Sequence, residues 1–414
     1  MIIKLAYKSL LNRKTSVLLT LFSIVVSLSL LITVEHIRSE AKASFNRTVS
    51  SVDLIVGART GQLNLLLYSI FRMGNATNNV DWKSYQAISE QADVVWSVPL
   101  SLGDSHRGYR VLGTNQDYFE FYRYGDKRPL VFAQGSRFES PFGAVLGAEV
   151  AKSLNYSVGK RITLSHGVGS VSFTEHDNAP FAVVGILEPT GTPVDRTIHV
   201  TLAGIEAVHM PPSRLKALQT AVDAGQDIEV KPSSITAFML GLKSKMSIFK
   251  IQRSINNYRQ EPLMAVLPGI ALVELWSLVS SVENILRVIS LCVFVSAILG
   301  LITMLLASMQ ERQKEIAVLR AIGAGPVLLF VLIQLEALLV TTLAIAISLL
   351  LVWGVFYGAS DLLASNYGIF VSSQILSSAQ LMQLAAALVV TVLVALIPAI
   401  SAYRKALHAG LGNQ

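Results

Sequence analysis

The sequence predicts a membrane protein with four transmembrane α-helices and a large mixed α+β extracytoplasmic domain between the first and the second helix. Hydrophobic residues make up 52% of the 414 residues and charged residues 15%, whereas soluble domains have roughly 25% charged residues. The bias lies in four long, almost uncharged stretches, while residues 36–283 carry the charges, glycines and prolines of a globular domain. These observations exclude an ordinary soluble protein.

Four stretches are long and apolar enough to cross a bilayer, which takes roughly 20 mostly apolar residues in a helix. The predicted spans are residues 15–35, 284–309, 326–356 and 380–403. The first resembles a secretory signal peptide, but its apolar part is too long and no small-residue cleavage site follows it. We therefore expect a retained membrane anchor.

Lysine and arginine in the short flanks of the spans predict the orientation, because these residues concentrate on the cytoplasmic side. They occur in residues 1–14, 310–325 and 404–414 but not in the loop 357–379. We therefore expect both termini in the cytoplasm of a bacterium, the spans in its inner membrane and residues 36–283 in the periplasm. The clustering of bases beside the spans explains the net charge of +7 without nucleic-acid binding.

Residues 1–14 are predicted to form an amphipathic cytoplasmic helix. Its apolar side chains would face membrane lipid while its bases face the headgroups. A basic anchor that only fixes the topology is an equally good interpretation.

The domain between the first two spans mixes short strands and helices. Strand-forming runs punctuated by glycines occupy residues 52–56, 94–98, 109–112, 161–164, 171–173 and 181–187. A strand, a helix and a strand of a βαβ-like unit are expected at residues 235–242, 247–258 and 263–266. A further short helix is expected at residues 148–155. Because residues 36–50 and 270–283 keep helical spacing, we predict two stalk helices that carry the domain.

One segment of the domain, residues 63–73, is strongly apolar over the length of a helix and breaks at Gly74. A buried core helix is one interpretation. The other is an exposed apolar element that contacts a substrate, lipid or a partner protein. The candidate contact residues are Leu65, Leu66, Leu67, Tyr68 and Phe71.

A short charged segment, residues 310–325, separates the second span from the third. Ile316, Leu319 and Ile322 recur every three residues and would form one apolar stripe on a helix, which suits a groove on a partner. Charged side chains surround the stripe and would fix the register by charge complementarity. We predict a helix that docks onto a cytoplasmic partner, with a solvated loop as the alternative. The predicted docking residues are Glu311, Arg312, Lys314, Glu315, Ile316, Leu319, Arg320 and Gly323.

Glu336 is the only ionisable side chain well inside a predicted span. An acid within the bilayer is costly unless it is paired or hydrated, so such residues are functional hypotheses by default. We favour an interhelical hydrogen bond or an interface contact over a proton relay.

Several stretches together resemble the permeases of type VII ABC transporters, the MacB/LolE/FtsX-like class. The sequence ERQKEIAVLRAIGA of residues 311–324 resembles the cytoplasmic coupling helix of the family, and Pro398-Ala399 resembles the exit from its last helix. The stretches similar to its periplasmic core domain are residues 145–154, 158–162 and 181–187, with Thr190, Gly191 and Asp195. The resemblance covers nearly the whole chain.

The resemblance implies a second permease copy, here in a homodimer, and stalk helices that relay ATP-driven motion to the periplasmic domain. The chain lacks the G-x-x-x-x-G-K-[ST] sequence that cradles ATP phosphates. We therefore expect no cofactor in this chain and no enzymatic activity of its own. ATP and Mg²⁺ would bind a separate ABC ATPase subunit, and a periplasmic adaptor or substrate protein is a further expected partner.

The expected function is that of a permease subunit that moves or extracts a periplasmic or membrane substrate such as a lipoprotein, a lipid or a peptide. An FtsX-like regulator that activates a periplasmic partner without transport is the alternative. A membrane-anchored sensor without an ATPase is a third interpretation. The length of the extracytoplasmic domain favours the first.

Seven histidines raise the alternative of a metal-linked (zinc) transport component. His166 and His176 lie close in sequence, with Glu175 and Asp177 beside the second, but no tight ligand spacing such as H-E-x-x-H occurs. Histidines on surface loops are the preferred interpretation, so we predict no metal site. The single cysteine, Cys292, lies in a predicted span and gives no disulfide framework.

Overall fold

The computed structural model describes residues 6, 10, 13–48, 52–166, 179–226, 230–311, 325–367 and 377–411. The chain divides into two compact units. The first, called the membrane unit below, comprises residues 1–40, 280–360 and 371–414. The second, called the extramembrane domain, comprises residues 41–279 and 361–370.

Helices form the membrane unit and alternate with strands in the extramembrane domain. In chain order they are α1 (Lys14–Thr48), α2 (Gln62–Ser69), α3 (Trp82–Ser89), α4 (Asp117–Phe121), α5 (Ala148–Leu154), α6 (Leu202–Val208), α7 (Pro212–Asp223), α8 (Lys245–Asn256), α9 (Pro268–Glu311), α10 (Pro326–Tyr367) and α11 (Ser378–Leu411). A short 3₁₀ helix covers Pro193–Arg196.

Four of these helices are long and apolar enough to cross a membrane, as the predicted fold class requires. The candidate spans are Lys14–Glu40 in α1, Pro268–Ala307 in α9, Phe330–Ala359 in α10 and Gln380–Ser401 in α11. Of the predicted N-terminal helix, the structure describes Ala6, Leu10, Arg13 and Lys14.

The helix of the third span is longer than predicted. The sequence placed a loop at residues 357–379, but α10 continues to Tyr367. Hydrophobicity falls after Phe356, yet Leu362 and Leu363 are good helix formers, so nothing stops the helix there. The predicted start of the loop is therefore wrong, because the loss of hydrophobicity ends an apolar span without ending a helix.

One large sheet of mixed direction is the framework of the extramembrane domain. The strands are β1 (Leu54–Ala58), β2 (Val80–Asp81), β3 (Val94–His106), β4 (Tyr109–Thr114), β5 (Arg123–Tyr124), β6 (Arg128–Pro129), β7 (Phe132–Gly135), β8 (Gly143–Leu146), β9 (Arg161–Ile162), β10 (Ser165–His166), β11 (Phe181–Leu187), β12 (Thr197–Thr201), β13 (Ser234–Ile235), β14 (Ala237–Leu242) and β15 (Leu263–Val266). The large sheet has the order β15-β1-β14-β3-β4-β12-β8-β11-β7, with β10 paired to β3 and β9 to β11. The predicted strand at residues 171–173 lies outside the described residues.

The strand–helix–strand unit formed by β14, α8 and β15 differs from a simple βαβ unit because its two strands are not neighbours. β1 lies between them and runs antiparallel to both, with Ile55 opposite Met239 on one side and Val266 on the other. β14 and β15 are therefore parallel to each other, and α8 supplies the crossover that parallel strands need. β1, which comes from the beginning of the domain, occupies the position between β14 and β15 in the sheet.

The long strand β3 joins the two halves of the sheet. Its first part pairs with β14 and its last part with β4, and the register shifts between Leu102 and Ser105. Such an irregularity bends a strand and increases its twist. Separate apolar cores follow along the sheet, one around Phe238 and Leu240 and another around Phe181.

Candidate functional site

The predicted docking segment connects two membrane helices. α9 ends at Glu311 and α10 begins at Pro326. The other predicted docking residues lie outside the described residues; they are Arg312, Lys314, Glu315, Ile316, Leu319, Arg320 and Gly323. The structure therefore defines the two helix ends that the segment joins, and the docking role stays a prediction.

Small side chains let the long helices of the membrane unit approach closely. Their shared buried cluster contains Ala297 of α9, Ala337 and Ala344 of α10, and Ala387, Ala395 and Ala399 of α11. Ile24 and Leu28 of α1 complete this contact. Helices in lipid gain little from the hydrophobic effect when they associate, so close packing of small residues supplies much of the attraction.

Hydroxyl groups connect α1 to its neighbours. The single hydrogen of the Ser27 hydroxyl is shared between the main-chain oxygen of Ser23 in its own helix at 2.7 Å and that of Val293 on α9 at 3.3 Å. Ser348 Oγ on α10 donates to the main-chain oxygen of Val25 at 3.1 Å. In an apolar medium each such bond contributes roughly 0.6 kcal/mol. α1 is thereby bonded to both α9 and α10.

The middle of α10 buries several polar side chains. Glu336 is 2% exposed and has an interaction partner. The Thr341 hydroxyl lies 3.2 Å from that of Thr391 on α11. Within the described part of the chain, Nε2 and Oε1 of Gln334 are enclosed and lack hydrogen-bond partners. A contact inside the helix bundle suits the burial of Glu336, and this role stays a prediction.

An ion-pair network joins α1 to α9. Arg38 of α1 lies 2.7 Å from Glu35 and 2.9 Å from Glu283 of α9, and Arg287 of α9 lies 3.5 Å from Glu35. The Glu35 side chain is 9% exposed, so bulk salt screens it weakly. This network was not predicted from the sequence. Opposite charges spaced i, i+3 on one helix and i, i+4 on the other were the available signal.

The apolar helix α2 lies in the core of the extramembrane domain. Leu65 and Leu66 are 0% exposed, Tyr68 1% and Phe71 7%, while Leu67 is partly buried against the same core. A Cβ atom on Gly57 of β1 would come within 2.7 Å of Leu65 and of Tyr68. The helix thus packs directly on the sheet. Leu65, Leu66, Tyr68 and Phe71 are buried and expose almost no surface to a substrate or partner. The interpretation of these side chains as an exposed contact element is therefore wrong.

The residues Thr190, Gly191 and Asp195 form a buried turn. The main-chain nitrogens of Thr190 and Gly191 both donate to the Asp195 carboxylate at 2.8 Å, and so does the Thr190 hydroxyl. Burial raises the pKa of Asp195, and the hydrogen bonds from Thr190 and Gly191 oppose that rise. The carboxylate organises the chain before β12, which gives these residues a structural task.

Two histidines of the domain, His106 in β3 and His199 in β12, are buried in strands rather than on the surface loops expected from the sequence. His199 is fully buried, and burial, together with the charge of Arg72, lowers its pKa to about 3, so it is neutral at neutral pH. His106 lies 3.0 Å from the Tyr156 hydroxyl and 2.6 Å from a main-chain oxygen. Among the described residues no group of three or more potential metal ligands occurs. His176 lies outside that part of the chain.

Two family models match the chain. The model of the MacB-like periplasmic core domain matches residues 17–258, which is more than half of the chain. The model of the FtsX-like permease C-terminal region matches residues 287–407. Together the two models include the third and fourth candidate spans, nearly all of the first, about half of the second and most of the extramembrane domain.

The solved structures that are distantly similar to this chain include two extramembrane domains. The periplasmic region of MacB from Actinobacillus actinomycetemcomitans is 12% identical with a TM-score of 0.34, and the match covers 56% of this chain and 94% of that one. The extracellular domain of the noncanonic ABC-type transporter YknZ from Gram-positive bacteria is 12% identical with a TM-score of 0.30, covering 52% and 100%. No curated protein sequence matches this chain.

Proposed function

Because this chain belongs to the MacB/FtsX-like family of type VII ABC permeases, we propose that it relays ATP-driven motion from a separate ATPase subunit to its extramembrane domain. The family makes the chain an inner-membrane component of an ABC transporter that associates with an ABC ATPase subunit. Our proposal concerns three further points: the relay of motion, its direction from the ATPase to the extramembrane domain, and the substrate.

The observation that supports a relay is the continuity of α9. One helix runs from Pro268, two residues after the last strand of the domain, to Glu311, where the predicted docking segment begins. Motion of that segment would therefore act on a helix whose other end adjoins the sheet in sequence. α1 is also continuous, from Lys14 to Thr48, and the ion pairs of Arg38 and Arg287 join it to α9.

The chemistry of the docking segment favours a protein partner. Ile316, Leu319 and Ile322 would fill an apolar groove on the ATPase, and the surrounding charges would fix the register. We place this segment and both termini in the cytoplasm and the extramembrane domain in the periplasm. ATP and Mg²⁺ would bind the ATPase subunit, two copies of this chain would form the permease dimer, and residues 1–14 would lie against membrane lipid.

The packing of the membrane unit favours work on a substrate at the periplasmic side. Alanines and aliphatic side chains pack at the contacts among α9, α10 and α11. The hydroxyl groups of Thr341 and Ser348 bond to neighbouring helices within this packing. A lipoprotein, a lipid or a peptide handled by the domain or by a periplasmic adaptor fits this arrangement. Activation of a periplasmic partner without transport would use the same relay.

The test is ATP hydrolysis by the complex of the full chain with its ATPase subunit. We expect Leu319→Asp or Arg320→Glu to lower permease-dependent hydrolysis about tenfold or more, because a buried or charge-paired contact on the partner is lost. The variants should retain the thermal unfolding transition of the wild type.

The matched control is Arg404→Glu, which makes the same charge change on the exposed end of α11. This variant should keep the hydrolysis rate of the wild type. Unchanged hydrolysis in both docking variants, with the ATPase still bound, would overturn the proposal.

A further inference from the structure

Helix α8 has two apolar faces, of which the fold uses one. Ile251 and Ile255 are 3% and 0% exposed and pack with strands β1, β14 and β15 in one core. On the outside, Met246 is 89% exposed and Phe249 66%. Fully exposing a large apolar side chain forgoes roughly 1.5–3 kcal/mol of burial, so the outer pair has no role in the stability of the domain.

The exposed apolar side chains lie on the same stripe as an arginine. Met246, Phe249 and Arg253 are spaced i, i+3 and i+7, which places them along one side of a helix. The helix is well defined at its start, where the Ser244 hydroxyl accepts a hydrogen bond from the Ser247 nitrogen. The stripe is therefore presented by a rigid element of the domain.

An open surface pocket of about 510 Å³ lies beside the stripe. Its lining residues are Phe249, Lys250, Arg253, Ser254 and Asn257. An aromatic wall next to two cations is a concave site that can hold one apolar side chain and pair with a carboxylate beside it.

Helix α8 itself carries only positive charge. The twelve residues of α8 include Lys245, Lys250 and Arg253 and no acid. Lys250 pairs with Asp93 at 2.8 Å. Within the described residues neither Lys245 nor Arg253 has an ion-pair partner. The unpaired cations flank the exposed Met246 and Phe249.

We propose that the outer face of α8, formed by Met246, Phe249, Lys250, Arg253, Ser254 and Asn257, is the docking surface for a protein partner that presents carboxylates around an apolar side chain. The apolar stripe and the pocket would receive the partner's apolar groups, and Lys245 and Arg253 would pair with its acids. This surface belongs to the domain alone, so the inference does not depend on the coupling to an ATPase.

Two other occupants fit less well. A second copy of this chain placed face to face would bring the same cations together, and like charges across an interface are strongly unfavourable. An anionic membrane would attract the cations, but a flat surface leaves the pocket unfilled. An acidic protein segment, folded or extended, can place an apolar side chain in the pocket and its carboxylates beside the cations.

The experiment is photo-crosslinking in cells that produce the full chain with its natural partners. p-Benzoylphenylalanine replaces Phe249 in one strain and Lys216, an exposed residue of α7, in the control strain. We expect a protein adduct at position 249 that is at least about tenfold stronger than at 216. Mass spectrometry of the adduct should map to a partner segment that contains aspartate or glutamate.

Charge variants make the test specific. In the strain with the crosslinker at 249, Arg253→Glu should lower the adduct about tenfold, Arg253→Lys should preserve it, and Arg214→Glu on α7 should leave it unchanged. Equal levels of the membrane-inserted chain in all strains show that folding is intact. The proposal is overturned by no adduct above the control, by an adduct to lipid or to a second copy, by a mapped segment without acids, or by an adduct that survives Arg253→Glu.

Discussion

The extramembrane domain and the membrane unit are packed by different rules. The interior of the domain holds large side chains, such as the fully buried Tyr118, Phe181 and Phe238. In the main buried cluster of the membrane unit, six of the thirteen described buried residues are alanines, including Ala344 and Ala395, and the others are leucine, isoleucine or valine, with no aromatic ring. Hydroxyl groups add hydrogen bonds to the main chain of neighbouring helices. Other large apolar side chains of the membrane helices are exposed, such as Phe22, Leu350 and Trp353.

The difference follows from the surroundings of each unit. In water, burying a large side chain removes apolar surface from the solvent and contributes most of the stability. In lipid the surroundings are as apolar as the side chain, so helices associate through close contact and interhelical hydrogen bonds. One chain therefore relies on large buried rings in the extramembrane domain and combines alanines with aliphatic side chains at the helix contacts of the membrane unit.

The largest expected effect is in the domain core. Phe238→Ala removes a side chain that is 0% exposed and packs edge-to-face on Tyr85 at 5.2 Å. We expect the free energy of unfolding of the domain to fall by about 3–5 kcal/mol, measured by tryptophan fluorescence of the detergent-purified chain in denaturant. Phe249→Ala, at an exposed position of the same domain, should change it by less than about 0.5 kcal/mol. An equal loss of stability in the Phe238→Ala and Phe249→Ala variants would contradict the burial of Phe238 and the exposure of Phe249.

The membrane unit should respond to the opposite change. Ala387→Leu adds volume at a contact where the alanine is 4% exposed, and overpacking typically costs about 1–3 kcal/mol. Val389→Leu, at a position that is 59% exposed, is the control and should be neutral. The measurement is unfolding of the membrane helices in a titration with sodium dodecyl sulfate. A neutral Ala387→Leu would show that small size is not required there.

The domain should also lose stability as the pH falls below about 6.5. His199 has a pKa of about 3 in the folded domain and about 6.5 when unfolded, so between these values the unfolded chain binds the proton. The stabilisation is present above pH 6.5 and falls by about 1 kcal/mol per pH unit below it. His199→Gln should flatten the dependence of the domain transition on pH, whereas His209→Gln should preserve it. A wild-type domain whose free energy of unfolding stays constant between pH 6.5 and 5 would contradict the claim that His199 is buried and neutral.

The smallest effect concerns a single interhelical bond. Thr391→Val removes the hydroxyl that lies 3.2 Å from Thr341, and we expect a loss of about 0.6 kcal/mol in the same detergent titration. Thr303→Val is the matched control, because that hydroxyl is exposed and bonds within its own helix. An equal loss of stability in the Thr303→Val variant would show that the effect comes from a hydrogen bond within one helix and not from the bond between two helices.

Local patterns predicted individual elements well. The strand expected at residues 181–187 coincides with β11, and that at 263–266 with β15. Both are apolar runs bounded by turn residues, which makes the signal local. The strand expected at 94–98 is instead the first part of β3, which continues to His106 past Pro99 and Gly103. The register shift after Leu102 lets the strand bend there, so residues that normally end a strand did not end this one.

Long-range arrangements could not be derived in this way. The insertion of β1 between β14 and β15 depends on residues nearly two hundred positions apart. The pairing of Arg38 with Glu283 depends on how two helices face each other, and the sequence gives only the spacing on each. The apolar segment at residues 63–73 left two interpretations open, a core helix and an exposed element, and its packing in the core against β1 supports the first.

The central claim is that motion of the segment between α9 and α10 reaches the extramembrane domain, and a distance measurement tests it most directly. Spin labels at Lys216→Cys and Ser378→Cys, in a chain with Cys292→Ser, report the distance between the domain and α11 by pulsed electron resonance in the ATPase complex. ATP should shift the distance distribution of this chain relative to the nucleotide-free state, and Arg320→Glu should abolish the shift while the ATPase stays bound. An unchanged shift in the Arg320→Glu variant, or no shift on addition of ATP when Arg320 is present, would contradict the account.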